Sequence, residues 1–267
     1  MNNRVIQVYS PSRGGSTFIS FMLVNGERGI APGDISFLFR PQNENHKRTS
    51  CVCPDQDCSI WSTMKEAGEE NFYTQLFDMG YGLIVDSSKR QEWYNDQKEY
   101  YNGNIQDLII FKSPAEHGRS YFKRIGKLNL SHYVHYYLKA LKNTNDPVLV
   151  EYSDLAQNTS ETLEKVCNKL DLKYFNGKEF YWEKDNWHTW GGSNTAMIHF
   201  FEEGSHRYKL ILEDMKGNRG GIPTVSKHHR EIYYSNSGDK LPDWGYQHID
   251  SENGLQELYQ YMQKLKV

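Results

Sequence analysis

Apolar residues gather along the chain in two patterns. Four short runs, Arg4-Val-Ile-Gln-Val-Tyr9, Leu83-Ile-Val-Asp86, Leu108-Ile-Ile-Phe-Lys112 and Val148-Leu-Val-Glu-Tyr152, are aliphatic without clean alternation. That pattern predicts strands buried on both faces of a parallel sheet. Elsewhere apolar positions recur at helical spacing: Phe18, Ile19, Met22 and Leu23, then stretches after Pro114 and over 128–141 and 160–172. In the last, Leu163, Val166, Cys167 and Leu170 make one face, and Asn158 with Glu161 three residues on predicts a capped start. A closing helix is predicted over 255–265. Strands alternating with helices imply an α/β domain with a doubly wound parallel sheet flanked by helices, whose ligands bind at the carboxyl ends of the strands. Residues 173–253, rich in Gly, Asn, Trp and His and poor in periodic runs, read as a lid or substrate-binding region rather than a second core.

Composition narrows this picture. At 267 residues the chain suits one large domain with insertions, and 31 Lys and Arg against 34 Asp and Glu argue against coating nucleic acid by bulk charge. No run approaches the roughly 18 to 20 apolar residues that span a bilayer, so stable membrane insertion is not expected. The first ten residues carry no secretory pattern, which places the protein in the cytoplasm. Four Cys are too few for a disulfide scaffold. Mean hydropathy is −0.78, yet aromatics reach 14%, enough to bury a core.

The first strand stops at Ser10-Pro-Ser-Arg-Gly-Gly15 and a helix begins at Ser16. A Gly-rich turn feeding a helix N-terminus is a phosphate cradle. Against the nucleoside-triphosphatase loop G-x-x-x-x-G-K-[ST], Gly15 and Thr17 match, but Ser10 stands at the first Gly and Ser16 where the Lys belongs. The missing Lys is an objection to ATP hydrolysis or kinase chemistry. A Gly turn that only permits close strand–helix packing is the plain alternative.

Ser12-Arg13-Gly14-Gly15-Ser16-Thr17 resembles the R/K-S-G-[ST]-T loop of sulfotransferases that use 3′-phosphoadenosine 5′-phosphosulfate (PAPS), with Gly14 in place of Ser. Further segments recur in the family's order. Lys112-Ser113-Pro114 through Ser120 resembles R-D-P-R-x-x-x-x-S, and Glu151-Tyr-Ser-Asp-Leu155 resembles Y-E-D-L. Val85-Asp-Ser-Ser-Lys89 is similar to V-D-S-S-K, Gly33-Asp34-Ile35 to Gly-Glu-Leu, Cys51-Val-Cys53…Cys58-Ser-Ile-Trp61 to C-x-C-G…C-P-F-W, and His188…Gly191-Gly192-Ser193-Asn194 to H-x-x-G-G-N. The resemblance covers about residues 4 to 195. It implies a P-loop-like sulfotransferase fold in one domain over 1–267, with a Cys-containing insertion at 41–66. It also implies sulfuryl transfer from PAPS, without metal, to a hydroxyl or amine of a small molecule or glycan.

By the same resemblance Arg13, Gly14, Gly15, Ser16 and Thr17 hold the 5′-phosphosulfate, Lys112 and Ser120 the 3′-phosphate, Tyr152 the adenine, and Gly192 a nucleotide-side loop. Arg119 is an additional cation there, or a solvated helix residue. Lys89 would hold the sulfuryl or bridging oxygen, its plain alternative being a solvated lysine at a helix start. Asp34 would take the acceptor proton, with an ordinary turn Asp after Pro32-Gly33 as its alternative. His46, His188 and Asp86 are alternates for the base. Lys216-Gly-Asn-Arg-Gly-Gly221 is a rival nucleotide loop. Cys51, Cys53 and Cys58, with His46, offer four metal ligands, but the C-x-C-x4-C spacing favours free thiols, and no metal is expected. Two rival functions remain: a P-loop nucleotide kinase or other phosphoryl transferase, and a catalytically inactive nucleotide-binding module, suggested by the departures at Gly14, Lys112 and Asp34.

Overall fold

The computed structural model describes residues 3–47, 51, 53, 58–125, 127–183, 187–206, 208, 209, 243, 247, 249 and 254–267. Five strands, β1 Arg4–Tyr9, β2 Gly29–Gly33, β3 Leu83–Asp86, β4 Asn104–Phe111 and β5 Val148–Glu151, form one parallel sheet in the order β2-β3-β1-β4-β5. Helix α1 is Ser16–Val24, and two single turns, α2 Ser36–Phe39 and α3 Glu44–Lys47, follow β2. Then come α4 Ile60–Ala67, α5 Phe72–Asp78, α6 Gln91–Tyr100, α7 Pro114–Ile125, α8 Ser131–Asn143, α9 Tyr152–Gln157, α10 Thr159–Lys169, α11 Asn194–Met197 and the C-terminal helix Leu255–Leu265.

The strand side chains divide between two cores. Val5, Tyr9, Ile84, Ile109 and Phe111 face one side, where Met64, Leu76, Trp93 and Tyr137 cover them. Ile6, Val8, Leu83, Val85, Leu108 and Ile110 face the other, under α1, α9 and α10. Burial on both faces is why the strands lack alternation. The chain moves from β1 to the β2 side and later to the β4 side, so the crevice beside the end of β1 is the topological switch point where such sheets bind ligands.

The structure adds a strand and several helices to the sequence pattern. β2, Gly-Ile-Ala-Pro-Gly, has two glycines and a proline, which sequence reading takes for a turn; it is an edge strand whose register shifts between Ile30 and Gly33, and both features let a sheet accept Pro32. α6 is too polar to announce itself, yet buries Trp93, Tyr94 and Gln97. Asn158 holds the N-cap of α10 but makes no side-chain cap bond. The reciprocal box lies instead at α7: Glu116 N–H donates to Ser113 Oγ (3.2 Å), and Ser113 N–H and Oγ donate to Glu116 Oε2 at 3.2 and 3.0 Å. Pro114 follows at the first helical position, which needs no amide. Of the 173–253 region, Tyr181, Trp187, Ala196 and Met197 pack into the α1 core. Residues 216–221 lie outside the described residues.

Beneath the switch point sits a buried carboxylate. Asp86, fully buried, accepts from Tyr73 Oη (2.8 Å), Trp93 Nε1 (2.7 Å), and Ser88 N–H (2.9 Å) and Oγ (2.5 Å). Burial pushes its pKa up, against the pull of these donors. Asp86→Ala strands four buried donors, each costing about 1–3 kcal/mol, so urea unfolding should register a loss of at least about 3 kcal/mol. A change below about 1 kcal/mol would contradict the network.

Candidate active site

Every strand leads into a segment that carries a candidate residue. Tyr9 leads into the loop 10–15, Gly33 into Asp34, Asp86 into Ser87-Ser88-Lys89, Phe111 into Lys112, and Glu151 into Tyr152. Parallel pairing therefore gathers these segments along one edge of the sheet.

The glycine loop is shaped by close contacts. Gly15 caps α1 with φ 106° and without a side-chain cap bond. A Cβ on Gly15 would lie 2.3 Å from the Tyr152 ring. A Cβ on Gly14 would lie 1.8 Å from Ser10 Oγ, so the Ser10 side chain occupies the space that a serine at 14 would need. Among the described residues no acceptor takes the amides of Gly15, Ser16 and Thr17, which leaves them available to an anion. Thr17 is tied down: Ser193 N–H donates to Thr17 Oγ1 (3.2 Å), and Gly192, with φ 132°, packs against the Thr17 methyl group.

Cations converge beside the loop. Arg13 Nε donates to Ser120 Oγ (3.3 Å), joining the loop to α7. Lys112 places Nζ 4.0 Å from the centroid of the Tyr152 ring. Lys112 is half-buried; its burial first, then the charges of Arg13 and Arg119, push its pKa down to about 7, against the pull of Glu116. His117, which no sequence motif singles out, is buried one turn along α7, and neither ring nitrogen finds a partner among the described residues. Burial, then Lys112, His132 and Arg13, hold it down to about 3, so it adds no charge.

On the other side of β1, Lys89 Nζ and the Asp34 carboxylate form an ion pair, both about one-fifth exposed. Lys89 N–H donates to Tyr94 Oη (3.0 Å), and Ser36 N–H to Ser88 Oγ (3.3 Å), which locks the Asp34 turn to the end of β3. Only four non-glycine residues among those described have positive φ, and Arg13 (74°) and Lys89 (64°) are two of them. Such strain collects where function fixes a geometry.

The alternates for the base stand elsewhere or are engaged. His46 stacks on Phe37 with centroids 3.8 Å apart; burial and Arg90 lower its pKa while Asp34 raises it. Asp86 is committed to its four donors. His188 turns Nδ1 toward Cys58 Sγ (3.4 Å) and Cys51 Sγ (3.6 Å). His188, and not His46, thus joins Cys51, Cys53 and Cys58, with the four ligand atoms all within 4.8 Å of one another. The signal was out of reach of a spacing argument, because His188 lies far along the chain from the cysteines.

No protein-family model matches the chain, and no curated protein matches it significantly. Among solved structures it is similar to the sulfotransferase domain from the curacin biosynthetic pathway, with a TM-score of 0.51 and 14% identity over 90% of this chain and 99% of that one. It also aligns with a sugar kinase from Janibacter sp. HTCC2649 (TM-score 0.39, 16% identity, 64% of this chain and 96% of that one). A gluconokinase from Sinorhizobium meliloti 1021 aligns likewise (TM-score 0.33, 14% identity, 64% and 95%). The two kinase alignments are too weak to weigh; the first likeness, at that identity, establishes the fold, a parallel α/β sheet of P-loop-like type. No helix among the described residues is long and apolar enough to cross a membrane.

Proposed function

We propose that the protein is a PAPS-dependent sulfotransferase, acting on a hydroxyl or amine of a small molecule or glycan. The observation that carries this reading is the cation pocket at Lys112, Arg13 and Arg119, bonded through Ser120 to a loop of unclaimed amides. PAPS differs from ATP in carrying a 3′-phosphate, and a second anion pocket beside the phosphate loop is what that group requires. Ser16 at the lysine position of the kinase loop supports the same choice over phosphoryl transfer.

In the reaction the acceptor oxygen attacks sulfur, the bond from sulfur to the bridging phosphate oxygen breaks, and the acceptor proton passes to Asp34. Lys89 neutralises charge on the sulfuryl or bridging oxygen, and the loop amides with Arg13 receive the leaving 5′-phosphate. Positioning and charge stabilisation supply the acceleration, as in phosphoryl transfer.

Titration calorimetry with 3′-phosphoadenosine 5′-phosphate, with and without Mg²⁺, tests the reading. Micromolar affinity independent of Mg²⁺ is expected, followed by transfer of labelled sulfate in an acceptor screen. Absence of binding, or ATP binding that needs Mg²⁺, would overturn it, and binding without any transfer would favour the inactive module. Arg13→Gly separates contact from fold: relief of the positive φ should leave the melting temperature at or above that of the parent, while affinity drops about tenfold or more.

A further inference from the structure

We propose that Cys51, Cys53, Cys58 and His188 form a structural zinc site that clamps the cysteine insertion to the segment holding both sides of the active site. The geometry of the donors carries the assignment. Zinc–sulfur bonds of about 2.3 Å and zinc–nitrogen bonds of about 2.0–2.1 Å give tetrahedral S···N edges of about 3.6 Å and S···S edges of about 3.8 Å. His188 Nδ1 stands 3.6 Å from Cys51 Sγ and 3.4 Å from Cys58 Sγ, and all four ligand atoms lie within 4.8 Å of one another. One imidazole nitrogen directed at two sulfurs is the edge pattern of a tetrahedron. A disulfide would pair two of the thiols and leave the third and the imidazole without a role.

The donor chemistry selects the ion. Three thiolates and one imidazole suit a borderline-soft divalent cation, and four protein ligands close the coordination sphere, the mark of a structural rather than a catalytic zinc. Cys51 and Cys53 are buried, Cys58 and His188 half-buried, and Trp61 packs edge-on to Trp190 beside them (centroids 6.3 Å apart).

Placement gives the site its purpose. Cys51 bridges Trp190, and Trp190 in turn extends the sheet beyond Gly33. Trp190 N–H donates to the Pro32 carbonyl (2.8 Å), and its own carbonyl accepts from Asp34 N–H (3.0 Å). Three residues later Ser193 donates to Thr17 of the phosphate loop. Two residues before Trp190, His188 is therefore the anchor of a segment that touches the Asp34 turn and the phosphate loop within six residues. Binding zinc there would stabilise both at once, and the proposal stands whether or not the chain transfers sulfate.

The test is the metal content of the full chain purified without chelator, by elemental mass spectrometry: about one zinc per chain is expected. Protein refolded with Co²⁺ should display the intense visible bands and sulfur charge-transfer absorption of a tetrahedral cobalt–thiolate centre. His188→Cys, which keeps four ligands, should retain the metal with a shifted cobalt spectrum, while Cys53→Ser should bind at least about tenfold more weakly. Stripping zinc with a thiophilic chelator should lower the melting temperature of the parent, and adding Zn²⁺ back should restore it. Zinc below a tenth of an equivalent together with an octahedral cobalt spectrum would overturn the proposal, as would a disulfide among the three cysteines in the freshly isolated protein. Nucleotide affinity is not the readout, so failure here is distinct from failure of the sulfotransferase reading.

Discussion

Replacing Lys112 by methionine should weaken binding of 3′-phosphoadenosine 5′-phosphate about 10- to 100-fold near pH 6.5, the loss of one charge-assisted hydrogen bond. It should also flatten the pH dependence of what binding remains. In the free protein Lys112 has been pushed down to about 7 by burial and then by Arg13 and Arg119. A phosphate dianion seated against it favours the ammonium, so the pKa in the complex is higher. Between those two values binding takes up a proton, and affinity falls by up to about tenfold per pH unit as pH rises. Below roughly pH 6 the phosphate gains its own proton, which puts the affinity maximum at roughly pH 6–7. The groups around Lys112 are Arg13 from the loop, Glu116, His117 and Arg119 from α7, and Tyr152 from α9. The arginines stay charged, and His117, held at about 3, stays neutral. Lys112→Arg should therefore bind with little change from pH 7 to pH 9. Calorimetry in two buffers of different ionisation enthalpy reads the proton uptake directly, and a parent affinity constant from pH 7 to 9 would refute the assignment. Stability carries the same signature. Between about 7 and the ordinary lysine value of 10.5 the unfolded chain binds a proton that the folded chain does not, so stability rises with pH across that window. Lys112→Met should remove that rise.

Most of the sheet was legible because burial on two faces leaves continuous apolar runs, as in β1, β3, β4 and β5. β2 was not, because its partners decide it: Gly29 and Gly33 carry no strand preference, and the strand exists through pairing with β3 on one side and Trp190 on the other. The site divides in the same way. Arg13, Lys89, Lys112 and Tyr152 were visible because each stands in a short contiguous segment, at or just past a strand end, that resembles a sulfotransferase motif. The bond from Arg13 to Ser120, the ion pair of Asp34 with Lys89, and the approach of His188 to the cysteines each join segments far apart in sequence, and nothing local encodes them. The departure at Gly14 likewise acquires a reason only in three dimensions, where Ser10 fills the missing side chain's place.

The pair Asp34 and Lys89 should control turnover without controlling nucleotide affinity. Asp34→Asn keeps the volume and the backbone hydrogen bond to Trp190 but removes the proposed proton acceptor, so kcat should fall by roughly 10²–10⁴-fold. The affinity for 3′-phosphoadenosine 5′-phosphate should change less than about threefold, because the pocket at Lys112 and Arg13 lies across β1. Lys89→Met should lower kcat to a similar extent by removing the cation proposed to face the transferring group. The two side chains touch and act on the same group transfer, so the double variant should fall well short of the product of the single losses. Asp34→Glu should retain most of the activity that Asp34→Asn loses, since it restores a carboxylate of greater reach. Steady-state transfer of labelled sulfate and calorimetry on the same four proteins separate the effects. Were Asp34→Asn to keep more than about a tenth of the parent kcat, the proton would have to leave by another group, and His46, which feels the charges of Asp34 and Arg90, is the next to replace.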